Sequence, residues 1–227
     1  MPLDEVFAGA KKAVPIVLGY LPLGFAYGTL GRLAGIPLPY ITMMSLLVFA
    51  GSGQFIAVSM IAAGSSALSI ILTTFLVNLR HLLMSASLST LLPDIPRSAL
   101  PLIAFWLTDE SYAMACGELR VHKRSHYYIL GLFGTAYAGW VIGGTLGGLL
   151  GSIFSGTQAT LTLEYALYAM FIFLLVIQLT DRKLLLAAVI AGLLSLVFYL
   201  IIPGSWYVIL ATVCTATLGV LMEKCQT

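Results

Sequence analysis

Two short polar runs interrupt long apolar stretches of this chain, and their residue types could do chemistry. Asn78-Leu79-Arg80-His81 lies midway through the apolar stretch Leu68 to Leu91. Thr108-Asp109-Glu110 lies in another, just before Ser111 and Tyr112. An arginine at mid-depth in hydrocarbon costs about 2.5–3.5 kcal/mol on insertion scales, so it must face protein or water and take a partner. Asp109 is the natural counter-ion for Arg80, since two uncompensated charges in lipid would each be expensive. On a helix, Asn78, His81 and Ser85 share one face, and Arg80 and Met84 point about 100° away from it. Glu110 lies about 100° round from Asp109. One face would contact a solute while Arg80 fixes a neighbouring helix; a purely structural clamp is the competing reading. A histidine and a carboxylate in one membrane core are also the usual parts of a proton relay. Arg80, His81, Asp109 and Glu110 therefore form the candidate proton-coupling or ion-pair set. Were their segment shifted towards one membrane surface, Asp109 and Glu110 would instead form a solvated face.

The second kind of signal is helix-breaking composition. Gly51-Ser52-Gly53-Gln54 puts two glycines around a serine, and each glycine weakens a helix by about 1 kcal/mol. Broken backbone at membrane depth is tolerated only where protein or a water-filled cavity satisfies it. Transporters use such breaks to aim helix ends at charged solutes, whereas Gly and Ser equally serve close helix packing. The stretch with Pro15, Gly19, Pro22, Gly24, Gly28 and Gly31 has the same character, and predicts a kinked or split first span with Phe25 and Tyr27 walling an apolar pocket. The candidate substrate-binding set is Pro22, Gly24, Phe25, Gly51, Ser52, Gly53, Gln54, Asn78 and His81. Gly139, Gly143, Gly147 and Gly151 recur every four residues. Such a small-residue stripe brings another helix very close, inside the chain or from a partner.

These residues need a lipid-embedded scaffold. The chain has 227 residues, 60% hydrophobic and only 9% charged, against about 25% charged in a soluble domain. The expectation is a single all-α domain over residues 1–227, a polytopic transmembrane helical bundle with interrupted helices. Apolar runs at 13–34, 40–63, 67–91, 99–117, 127–153, 164–180, 184–202 and 206–222 predict about eight spans, or seven if 206–222 is not one. With a cytoplasmic N-terminus, Lys11, Lys12, Arg120, Lys123, Arg124, Arg182, Lys183 and Lys224 fall inside, and only Arg32 and Arg97 outside. That asymmetry favours both termini inside a cell inner (plasma) membrane. Continuous rather than alternating apolar runs argue against a β-barrel. A weak internal repeat relates Gly19–Tyr27 to Gly131–Tyr137, and Phe49 and Gln54 to Phe173 and Gln178.

Several function classes fall away. The net charge of +2 and the lack of a basic stripe argue against nucleic acid. Cys116, Cys214 and Cys225 have no metal-binding spacing. No GxSxG, HExxH or Walker A run occurs, so neither an enzyme nor an ATPase is expected, and no cofactor or metal. A gradient-driven transporter leads, and a channel or passive pore for small solutes is the alternative.

The chain resembles the AzlC family of membrane permeases. The resemblance rests on residues 9–15 (GAKKAVP), Pro22–Gly28 (PLGFAYG), Phe49–Phe55 (FAGSGQF), Asn78–Ser85 (NLRHLLMS) and Thr108-Asp109-Glu110. It covers most of the chain and is densest over residues 9–115. The resemblance implies export of leucine, isoleucine, valine and sometimes methionine, together with a small second membrane subunit of the AzlD type.

Overall fold

The computed structural model describes residues 2–92, 95–154 and 182–202 continuously, with scattered single residues from 165 to 218. The described elements are helical, in keeping with a helical membrane bundle. An amphipathic α1 (Pro2–Lys12) meets α2 (Val14–Leu33) at Ala13, whose backbone stays close to helical at φ −74° and ψ −14°. The two form almost one continuous rod. Leu3, Phe7, Val14 and Leu18 make an exposed apolar stripe along it, as befits a surface facing lipid. The expected split in this segment is absent: α2 stays helical past Pro22 and its glycines. Those glycines serve close packing instead.

The packing partner is α8 (His126–Leu150), which ends in a 3-10 turn, Gly151–Phe154. The glycine stripe of α8 sets the register. Gly139 faces Val17, Gly143 faces Leu21, Gly147 faces the Phe25 carbonyl and Gly151 faces Thr29. From α2, Gly24 and Gly28 lie against the α8 backbone at Trp140, Gly144 and Gly148. Both numberings rise together, so α2 and α8 run parallel, backbone to backbone. Without a Cβ on either side the helices approach closely and gain dispersion along their whole length. The stripe is thus used within the chain. α1 continues the contact, with Gly9 against Tyr128 and Gly131 against Val6.

Between α2 and α8 lie α3 (Leu38–Leu47), α4 (Gly51–Ala62), α5 (Ala67–Ser89), α6 (Leu100–Phe105) and α7 (Asp109–Leu119). Only α5 is long enough to cross a bilayer. α3 and α4 fold back on each other. Gln54 Nε2 donates to Ser45 Oγ at 3.3 Å, and Ile41 and Val58 both lie beside Gly31. A straight helix would hold residues 41 and 58 about 25 Å apart. α6 and α7 fold back likewise. Leu100 shares a cavity with Leu92 and Ser89, and Leu119 shares another with Leu91 and Leu92. Both ends of this hairpin therefore sit at the C-terminal end of α5, and its tip, Trp106–Thr108, sits near Arg80 and His81.

This corrects the reading of 40–63 and 99–117 as two complete crossings. Each is a helical hairpin that enters and leaves on one face, and the two enter from opposite faces. Hydropathy cannot distinguish these cases, because both bury a long apolar run. At 10 residues, α3 extends only about 15 Å, half of a bilayer core of about 30 Å. Arg97 consequently moves to the face that carries Lys11, Lys12, Arg120, Lys123 and Arg124, and Arg32 is left at the opposite one. The charge asymmetry between these faces becomes sharper. A further helix, α9 (Arg182–Ile201), is also long and apolar enough to span. The runs at 164–180 and 206–222, the repeat partners Phe173 and Gln178, and Lys224 lie outside the described residues.

Candidate functional site

The two hairpin tips meet halfway along α5. Each tip is a helix start. α4 begins after a break at Val48–Ala50, and α7 begins at Asp109. The first break turns on Phe49, whose φ of 41° is the positive value among the described non-glycine residues. Such a conformation is strained for a bulky side chain and is held only when its surroundings demand it. Here Phe49 is buried, with its ring edge-on to Tyr137 at 5.0 Å and to Tyr20 at 6.4 Å. The second tip is closed by a capping box between Thr108 and Ser111. α4 has no side-chain cap. Two helix starts, each with a partial positive charge, thus converge from opposite faces.

Arg80 of α5 ties the tips together. Its Nη2 donates to Ser52 Oγ at 2.7 Å, and its Nη1 lies 3.0 Å from Asp109 Oδ2. Both charged side chains are about a quarter exposed, at 28% each. Tyr20 of α2 bonds the second tip, with its hydroxyl 2.6 Å from Glu110 Oε2 and 2.7 Å from Thr108 Oγ1. His81 Nδ1 lies 3.1 Å from the Asn78 carbonyl oxygen. A carbonyl only accepts, so Nδ1 carries the proton in this contact and Nε2 of the neutral ring is an acceptor. Asn78 Oδ1 and Arg80 Nε are buried with no hydrogen-bond partner in the protein.

These groups enclose a cavity of about 30 Å³, lined by Tyr20, Leu23, Phe49, Gly51, Ser52, Arg80, His81, Thr108, Asp109, Glu110 and Trp140. That volume holds one or two water molecules. Beside it lies a second cavity of about 210 Å³, lined by Val48, Phe49, Ala50, Asn78, His81, Ala104, Phe105 and Leu107. Phe49 and His81 belong to both walls.

Of the sequence-derived candidates, Gly51, Ser52, Arg80, His81, Asp109 and Glu110 line the small cavity, and Asn78 lines the larger one. Gly53 provides room for Asn78, whose Nδ2 would lie 2.9 Å from a Cβ there. Gln54 is fully buried away from both cavities; it accepts from Trp140 Nε1 at 2.9 Å and donates to Ser45. Gly24 is a helix contact against α8, and the Phe25 carbonyl meets Gly147. Pro22 lies within α2 and lines neither cavity. Tyr20, Leu23 and Trp140 were not among the candidates, and Phe49 and Thr108 entered only as members of their runs. Tyr20 and Trp140 sit beside glycines of the α2–α8 contact, and that neighbourhood was their only trace in the sequence.

A profile described as AzlC protein matches residues 15–154, from the start of α2 to the end of the 3-10 turn. The chain belongs to the AzlC family. Its relatives include the inner membrane protein YgaZ of Escherichia coli, 34% identical over 86% of this chain and 82% of the relative. The branched-chain amino acid transport protein AzlC of Bacillus subtilis is 30% identical over 96% of this chain and 86% of its own. An uncharacterized membrane protein of Archaeoglobus fulgidus is 33% identical over 85% of this chain and 84% of its own. No solved structure gives a significant match. The AzlC match thus covers both hairpins and every side chain around the two cavities.

Proposed function

We propose that this AzlC-family chain is the large subunit of a secondary transporter that exports branched-chain amino acids, driven by protons and working with a small membrane subunit of the AzlD type. The observation that carries this reading is Arg80 bound at once to Ser52 of one hairpin and Asp109 of the other. Discontinuous helices that meet at mid-depth around a charged residue are what a transporter needs to bind a zwitterion away from both surfaces. The uncapped start of α4 and the Arg80 guanidinium suit a carboxylate. Glu110 and Asp109 suit an ammonium group. His81 together with these carboxylates supplies proton-binding groups for coupling. Movement of one hairpin against the other would open the small cavity to either face. The bacterial relatives and the basic N-terminal face support an inner-membrane location with a cytoplasmic N-terminus.

The test is reconstitution in liposomes, with and without the small subunit. Labelled leucine, methionine and a basic amino acid are followed under an imposed pH gradient. Saturable leucine movement, accumulated against its gradient and abolished by collapsing the proton gradient, is the expected result. Non-saturating flux would favour a passive pore, and equal failure with all three solutes would remove the transport reading.

A further inference from the structure

Phe49 divides two cavities that differ in chemistry. On one side are Arg80, Asp109 and Glu110 around about 30 Å³; on the other are Val48, Ala104, Phe105 and Leu107 around about 210 Å³. The smaller has charge but no room for an aliphatic side chain. The larger has room and opens outward: Leu107 is buried, Val48, Ala104 and Phe105 are exposed, and His81 and Asn78 complete the wall, with Asn78 Oδ1 buried and unpartnered. Neither alone reaches the ~300 Å³ at the lower end of ligand pockets, and joined they approach it.

Of the two residues between them, Phe49 and His81, Phe49 is the strained one. Phe49 holds φ at 41° in the break between α3 and α4. A backbone turn out of that region would carry the ring away from Tyr20 and Tyr137, its present neighbours. Strained positions of this kind gather at clamps and switches, where a conformational change relieves them.

We propose that Phe49 is a movable partition and that the 210 Å³ cavity is the side-chain subsite of the substrate, with Ala104 and Leu107 setting the size of side chain accepted. When the ring swings aside, the amino acid's charged head sits among Arg80, Asp109 and Glu110. Its aliphatic side chain lies against Val48, Ala104, Phe105 and Leu107. This rests on the amino-acid transport reading above and adds where selectivity resides.

The experiment uses the full chain in liposomes, with the small subunit present if the wild type requires it, and compares transport of alanine, leucine and phenylalanine. Ala104→Leu shrinks the subsite and lowers the leucine-to-alanine preference about tenfold, the usual worth of a methylene-scale change in an apolar pocket. Leu107→Ala enlarges it and raises the phenylalanine-to-leucine preference by a similar factor. Shifts in opposite directions cannot come from a general loss of folding. Phe49→Ala removes the partition, and the half-saturating leucine concentration falls by a larger factor than that of alanine; equal changes for the two solutes would refute the partition. Ratios unchanged within twofold in both Ala104→Leu and Leu107→Ala, in a wild type that transports leucine, would overturn the subsite and leave the transport reading standing. A wild type that moves none of the three would overturn both.

Discussion

Tyr20 and Glu110 are 90 positions apart in sequence, yet the Tyr20 hydroxyl lies 2.6 Å from the Glu110 carboxylate. This bond fastens the tip of the second hairpin to α2, just as Arg80 fastens it to α5 and to the first hairpin. The charged centre therefore has supports from the rod of α2 and α8 on one side and from α5 on the other.

Replacing Tyr20 by Phe keeps the rings against Trp140 and Phe49 and removes only the hydroxyl. Glu110 and Thr108 then each lose a buried partner. Thr108 keeps Ser111 as a partner, so the cost falls on the half-buried Glu110 and is expected at about 1 kcal/mol, the low end for an unsatisfied polar group. Thermal unfolding of the purified chain in detergent checks it, and an unchanged midpoint would show that the bond does not hold the hairpin.

Arg80→Gln and Asp109→Asn each leave an unpaired charge in a largely apolar surround. Breaking a buried pair costs about 3–5 kcal/mol, and the partial exposure here puts the expectation near the lower end. The double variant, with both charges gone, should recover most of that stability while transport stays lost. A double-mutant cycle on unfolding midpoints measures the coupling; simple additivity would mean that the 3.0 Å contact carries no energy.

Gly147→Ala and Gly19→Ala make a matched pair. A Cβ at residue 147 would strike the Phe25 carbonyl, which is backbone and cannot step aside, whereas one at residue 19 meets nothing within 4 Å. The first change should destabilise by about 1–3 kcal/mol or more as the helices part. The second should leave stability unchanged or raise it by up to about 1 kcal/mol, from helix propensity. Equal behaviour of the two variants in thermal melts would contradict the parallel packing of α2 and α8.

At the N-terminal face, Glu118 accepts from Arg124 Nη2 at 2.8 Å and pairs with Lys12 at 3.4 Å. Arg124 also reaches Glu5 at 3.4 Å. The hydrogen bond from Arg124, aided by Lys12, holds the Glu118 carboxyl below its ordinary value of 4.5. A carboxylate with a lowered folded value contributes stability that is present above the unfolded value and lost as pH falls through the folded one. The chain should therefore melt earlier on acidification below about pH 4.5. Glu118→Gln should melt earlier at neutral pH and lose part of that acid dependence. A variant with the same melting-versus-pH curve as the wild type would show that the cluster is only decorative.

His81→Gln tests the proton coupling. An amide cannot titrate, so transport should lose its dependence on the imposed pH gradient while leucine binding persists. Unchanged pH dependence in the variant would move the coupling role to Asp109 or Glu110.

Lipid embedding, the helical class, the Arg80–Asp109 pairing and the close-packing glycines were all written in residue types and spacing. An arginine and two carboxylates cannot be kept in apolar runs without an enclosed partner, and glycine every fourth residue lets another backbone approach. Which helix would fill that stripe was not legible, because spacing specifies a face and not its occupant; the fold assigned it to α2. The hairpins were not legible either. The apolar runs 40–63 and 99–117 have the length and hydropathy of crossings; the Ser45–Gln54 bond, the meeting of Ile41 and Val58 at Gly31, and the cavities that Leu92 shares with Leu100 and with Leu119 reveal that each turns back. Local sequence sets how polar a segment is and where its helix weakens. The direction the chain takes after a weak point is decided by which neighbours satisfy the opened backbone and surround its side chains, and those neighbours come from distant parts of the chain.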